Sequence, residues 1–232
     1  MNHGTRPAVR LFGVFGWACV AMFAGAPEAM AAPDEIVLRV RRIVSPHMTK
    51  ARIDPLCGEV NRIWAAHGVR IEWHEGTRMV APEDPAHLVV FFAPSDPCGP
   101  GAPCGRLAAL DRVRSPYSRQ APAGRPDAVI TVSLQHAQRM ADAASRAELA
   151  EAVRTMWARA RLPILMGRAV AHEIGHYLLE SREHSEDGLM RPQFMPDDVK
   201  HGEGYGLDAA HAARIHALWS RRASPAVVAP MQ

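Results

Sequence analysis

The stretch 169–192, AVAHEIGHYLLESREHSEDGLMRP, restricts the fold more than any other part of the chain. At about 100° per residue, His176 falls roughly 40° from His172 on a helical projection, and Glu173 about 100° from it. Val170, Ile174 and Leu178 then lie on the far side, at roughly 160°, 200° and 240°. Such a helix buries one face in a core and turns two imidazoles and a carboxylate toward a cleft. The rest of the chain must supply a layer for the apolar stripe to pack on.

Two histidines four residues apart share one helix face, which is what a metal ion held by a rigid element requires. Chance would spell H-E-x-x-H in a chain of this length roughly one time in thirty, so context has to carry the reading. A solvated helix with two surface histidines would not need the apolar back. A third histidine, His184, follows eight residues after His176, and Gly188-Leu189-Met190 comes directly after it.

Upstream the pattern is strand-rich. Residues 36–44 (IVLRVRRIV) alternate apolar residues with arginine and read as a first strand. Asp54-Pro55 has the form of an N-cap followed by proline at the first helical position. Leu56, Val60, Ile63, Trp64 and His67 then recur at helical spacing, which predicts a helix to about Gly68. Residues 69–74 form a second strand. The continuous apolar run 87–93 (HLVVFFA) has the length of a buried central strand. Proline and glycine make 94–105 a loop, 106–110 a short edge strand, 115–126 a further loop and 128–134 (AVITVSL) another strand. Residues 137–160 lack Gly and Pro and predict a long helix, which Pro163 is expected to end before opening the next. Residues 207–221 predict a final helix, and no internal repeat is present.

The first 31 residues carry the marks of a signal peptide. Arg6 and Arg10 precede an apolar run over 11–24, and Ala29 and Ala31 supply the small residues of a cleavage site after Ala31. The expected product is an exported chain, periplasmic or secreted, with one domain over 33–222 and a frayed tail over 223–232. The whole sequence has 27 basic and 24 acidic residues, a net charge of +3. The charges are scattered, without a Lys/Arg block, which argues against nucleic acid as a partner. No later stretch has the length and apolarity of a membrane span.

Cys57, Cys98 and Cys104 survive cleavage. In an oxidising compartment the near pair Cys98–Cys104 is favoured as a disulfide, and Cys57 reads as a small core residue, although its pairing with either of the others stays open. The histidines at 47, 67, 74, 87, 136, 201, 211 and 216 lack ligand spacing with one another and read as surface or core residues.

Over 170–192 the chain resembles the metzincins, zinc endopeptidases whose consensus H-E-x-x-H-x-x-G-x-x-H leads to a Met-turn. The tail from His184-Ser185 through Gly188 to Met190-Arg191-Pro192 is most similar to that of the matrixins. The resemblance implies an α+β fold: a mixed, mostly parallel twisted sheet, a zinc-binding active-site helix, a Met-turn and a C-terminal helix. It implies one catalytic Zn2+ on His172, His176 and His184, with Glu173 as general base and Met190 as an apolar floor beneath the imidazoles. It also implies a peptide or protein substrate paired as an added strand along the edge near Arg106, Leu107 and Ala108.

The departures from the family pattern are local. The family's turning glycine would fall at Leu179 and its third histidine at Arg182, and here the chain runs two residues further to His184. With no glycine between His176 and Asp187, the helix is expected to extend by another turn. Glu180 or Glu183 could replace His184 as third ligand, and Tyr205 could substitute for the tyrosine that some branches carry where Pro192 stands. The sequence reading is thus an exported zinc endopeptidase, favoured as a monomer. The rival is an exported zinc-binding protein that hydrolyses nothing, serving in interaction or envelope assembly. Hydrolysis of cell-wall peptides or amides would share the mechanism.

Overall fold

The computed structural model describes residues 35–46, 48–76, 87–94, 108–112, 128–145, 151–192 and 205–223. The chain divides into Met1–Ala32 and Pro33–Gln232, and every described residue belongs to the second unit. Its elements follow the order β1 (Ile36–Ile43), α1 (Lys50–Ala65), β2 (Val69–Gly76), β3 (Leu88–Ala93), β4 (Ala108–Arg112), β5 (Ala128–Ser133), α2 (Leu134–Ser145), α3 (Glu151–Leu179) and α4 (Ala209–Ala223). Among the described residues, no helix is long and apolar enough to cross a membrane.

The strands form one sheet in the order β2-β1-β3-β5-β4. β1 pairs in parallel with β2 and β3, and β3 in parallel with β5. β4 alone runs antiparallel, against β5, so the sheet ends in an edge strand of opposite sense. The fold is α+β with a mixed, mostly parallel sheet, as the sequence implied. β3 sits at the centre, and Leu88, Val89, Val90 and Phe92 are fully buried on its two faces. That is why its sequence shows no alternation.

Helix α3 packs on α1 and α2, reaches α4, and touches β4 and β5. Val170, Ile174 and Leu178 are fully buried, as the projection of this helix requires. They join Leu56, Val60 and Trp64 of α1 and Val90, Phe92 and Ile130 of the sheet in one core.

Three boundaries differ from the sequence reading. Pro163 does not break the chain: α3 runs through it from Glu151 to Leu179, and α2 ends at Ser145, with residues 146–150 outside the described ones. An interior proline costs about 3 kcal/mol. Leu162, Leu165 and Met166 around it are buried, at about 1.5–3 kcal/mol each, so tertiary burial outweighs the lost helix bond. α1 begins a turn earlier than Asp54, at Lys50 after Thr49, and Lys50 pairs with Asp54 across that extra turn at 2.7 Å. β4, expected over 106–110, runs to Arg112, so its end lies two residues further on; Ala108 is in the strand, while Arg106 and Leu107 fall outside the described residues. Cys98 and Cys104 also lie outside them. Cys57 is free and buried, receives Arg42 Nη1 at 3.3 Å, and burial pushes its thiol up, as suits an unreactive core residue.

A buried ion pair joins the two central helices. Arg168 Nε donates to Glu59 Oε1 at 2.9 Å, with side-chain exposures of 2% and 7%, and Arg62 grips the other carboxylate oxygen at 2.8 Å. Burial alone would raise the Glu59 pKa, but the hydrogen bonds from Arg62 and Arg168 outweigh it, and the group sits below the ordinary glutamate value. Removing only the carboxylate, by Glu59→Ala, strands a buried guanidinium and is expected to cost about 3–5 kcal/mol in urea denaturation. The paired change Glu59→Leu with Arg168→Met should cost far less than the two single changes together. Because the folded pKa is lowered, the contribution is present above the ordinary value and lost as pH falls through the folded one. The gap between wild type and Glu59→Ala should therefore begin to narrow as pH falls through the ordinary glutamate value of 4.5 and close only once the folded carboxylate, held below that value, is protonated.

Candidate metal centre

The last two turns of α3 place His172 and His176 over the core, at 6% and 7% exposure, while His184 approaches from the following segment and is exposed. The three ring nitrogens that could serve as ligands lie within 4.8 Å of one another. The His184 ring stacks on His172 at 5.4 Å between centroids and meets His176 edge-on at 4.9 Å. The rings of His172 and His176 are perpendicular, 4.6 Å apart.

Their orientations are fixed by backbone carbonyls. His172 Nδ1 lies 2.7 Å from the Leu189 oxygen and His176 Nδ1 2.9 Å from the Ser181 oxygen. A carbonyl can only accept, so each Nδ1 carries the proton and each Nε2 keeps its lone pair. The two Nε2 atoms face each other at 3.0 Å. Two lone pairs at that distance repel unless a cation lies between them. Nitrogens around a tetrahedral zinc, bound at about 2.0–2.1 Å, stand about 3.3–3.4 Å apart, so a small adjustment admits the ion. The donor set fits a divalent metal. Burial pushes the His172 pKa down and the neighbouring His184 adds to this, against the Leu189 hydrogen bond, so His172 favours the neutral form that a metal ligand needs.

The turn after the helix makes this possible. α3 does not extend another turn. It stops at Leu179, and Glu180 takes the left-handed conformation at φ 52°. Glu180 N–H donates to Tyr177 O and Ser181 N–H to His176 O, both at 3.3 Å, the pair of bonds that closes a helix when glycine is at this position. Here a glutamate bears the strain, and the reversal delivers the Ser181 carbonyl to His176. Glu183 turns away, toward Ser181 Oγ at 3.2 Å and Arg214 at 3.7 Å, so among the described residues the third member of the cluster is His184.

Met190 is 1% exposed. A Cβ built on Gly175 would stand 2.3 Å from Met190 Sδ, so the glycine between the two helix histidines lets the thioether press against the helix backbone. Gly188 has φ 75°, and a Cβ there would meet the Gly206 carbonyl at 2.6 Å, which seats residues 205–207 on the turn that carries Leu189. Glu173, beside His172 in the helix, is half-buried. Tyr205 is buried, with the Arg168 guanidinium 3.9 Å and that of Arg191 5.1 Å from its ring centre.

Of the residues named from the sequence, the structure brings His172, His176 and His184 into one cluster and sets Met190 against Gly175. Nothing in the sequence pointed to the Leu189 and Ser181 carbonyls, because any residue supplies one. No protein-family profile matches the chain, and no curated protein matches it. Among solved structures, the chain is similar to the crystal structure of metalloproteinase-II from Bacteroides fragilis, with 10% identity and a TM-score of 0.42, over 79% of this chain and 52% of that one. The chain spans about half the length of that protein.

Gly175→Ala sets a helix-propensity gain of about 1 kcal/mol against an overpacking cost of about 1–3 kcal/mol at Met190. The variant is expected to be less stable and to bind metal more weakly. Adding Met190→Ala should cost less in the variant than in wild type, which a double-mutant cycle by thermal denaturation measures.

Proposed function

We propose that the chain is an exported zinc-dependent peptidase of metzincin type. The observation that carries this reading is the pair of Nε2 lone pairs on His172 and His176, held face to face by carbonyls on Nδ1, with His184 closing the third side. His172, His176 and His184 would hold the ion. A zinc bound there supplies Lewis-acid activation of a water and polarisation of the scissile carbonyl.

The remaining work belongs to the chain. Glu173 projects from the helix about 100° from His172, too far round to share its ligand direction. Its half-buried carboxylate suits a general base that takes the proton of the attacking water and hands it to the leaving amine. Met190 supports the imidazoles from below as an apolar contact. β4 borders the sheet and pairs only with β5 among the described residues, so an extended peptide can add to its outer side by backbone hydrogen bonds. Arg106, Leu107 and Ala108 would border that groove. The basic and apolar N-terminus with its Ala29–Ala31 site supports export.

The test is cleavage of an unbiased peptide mixture by zinc-loaded protein starting at Pro33, beside Glu173→Ala. Cleavage should fall by about 10²–10⁴-fold in the variant while zinc remains bound. Folded wild type that holds stoichiometric zinc and cleaves nothing would instead favour a zinc-binding interaction protein, or a cell-wall substrate absent from the mixture.

The ligand set has its own test. His184→Ala should lower zinc occupancy sharply and Glu183→Ala should leave it unchanged, both read by metal analysis after dialysis. The reverse result removes His184 from the site. Chelation should lower the melting temperature of wild type and restore none of the cleavage until zinc is returned.

A further inference from the structure

His67 lies just beyond α1, far in sequence from the metal centre, yet a continuous run of hydrogen bonds joins the two. Its Nε2 accepts the Leu207 N–H at 3.1 Å. The carbonyl of the same peptide group, Gly206 O, accepts the Leu189 N–H at 3.0 Å. Leu189 O in turn receives His172 Nδ1 at 2.7 Å. The Gly206–Leu207 peptide is therefore held at both ends, and it cannot rotate without breaking either the His67 bond or the Leu189 bond.

His67 is itself fixed for this task. Its N–H donates to Trp64 O at 2.9 Å, its carbonyl is met by His216 Nε2 at 2.9 Å, and its ring stands edge-on to Trp64 at 6.3 Å. Burial pushes its pKa below the ordinary histidine value, and His216 on α4 adds to this. The ring is thus neutral near pH 7, with Nε2 able to accept.

We propose that His67 is a positioning residue for His172: by fixing the Gly206–Leu207 peptide it holds the Leu189 carbonyl where it keeps the ligand imidazole in its Nδ1–H form. The proposal rests on the reading of His172 as a metal ligand. Groups that orient ligand imidazoles typically matter by 10–100-fold in metal affinity. Aligned peptide dipoles polarise one another, so the effect can travel through two peptide groups.

The experiment compares His67→Leu, which has no acceptor, with His67→Gln, whose amide oxygen reaches the Nε2 position. Two properties are read: the tautomer of His172 by nitrogen NMR in metal-free protein, and zinc affinity by chelator competition. Near-UV circular dichroism checks folding. In wild type His172 should be Nδ1–H. In His67→Leu it should become a tautomer mixture, and the zinc Kd should rise about tenfold or more. In His67→Gln both properties should stay near wild type. If His67→Leu fails to fold, His67→Asn, whose amide stops at the Nδ1 position, takes its place with the same expected losses.

An acceptor-less variant that is folded, keeps His172 fully Nδ1–H and binds zinc as tightly as wild type would overturn the proposal. So would equal damage in His67→Gln, which would assign the effect to ring packing rather than to the acceptor. Wild type that binds no zinc would sink the metal reading of His172. The tautomer measurement in metal-free protein would still decide whether His67 orients it.

Discussion

Helix α3 has to satisfy two environments at once, and the remainder of the molecule is arranged around that demand. Val170, Ile174 and Leu178 are sealed into the core, and about half a turn round the helix His172 and His176 stand at the core's edge, themselves at 6% and 7% exposure. Imidazoles buried that far carry a desolvation cost unless both nitrogens find partners. Backbone carbonyls serve Nδ1, and a metal ion held by the three histidines would serve Nε2. The helix therefore needs a chain that folds back over its end to supply carbonyls, and the segment from Glu180 to Met190 is that chain.

The reversal is costly by itself. A non-glycine residue in the left-handed region is strained by about 1–3 kcal/mol. Glu180 accepts this strain because the turn pairs the end of the helix: the carbonyls of His176 and Tyr177 receive Ser181 and Glu180 N–H groups, and Trp219 Nε1 from α4 reaches Leu178 O at 3.3 Å. Each satisfied buried pair is worth about 0.5–1.5 kcal/mol net, and each left open would cost more. Together the three bonds are of the same order as the strain at Glu180. The Ser181 carbonyl on His176 comes with the same turn.

What the sequence disclosed divides along physical lines. The face of α3, its histidine pair and the central position of β3 were legible, since hydrophobic period and composition are local properties that burial directly selects. The extent of α3 was not, because a rule about proline competes there with the burial of Leu162, Leu165 and Met166, and only the tertiary fold reveals that burial. The turn at Glu180 was missed for a related reason: the signal for a left-handed cap is glycine, and a glutamate held there by its surroundings leaves no mark. The end of the edge strand was missed by two residues because a five-residue strand has too few alternations to set its own ends. His67 looked like an ordinary helix-end residue, since its partner is a backbone N–H 140 positions away.

The C-terminal helix ties these pieces together. α4 places Trp219 against the end of α3 and against Tyr177, with ring centres 5.9 Å apart. It places Arg214 3.7 Å from Glu183. It places His216 on the backbone of His67 at 2.9 Å. Three side chains of α4 thus meet the end of α3, the segment that follows it and the backbone at His67. Arg214 and Glu183 are both exposed, so that contact is screened and contributes little to stability. The Trp219 and His216 contacts are partly buried and fall on the backbone of Leu178, two residues past His176, and of His67. Loosening α4 would therefore reach the site through geometry, with the three histidines intact.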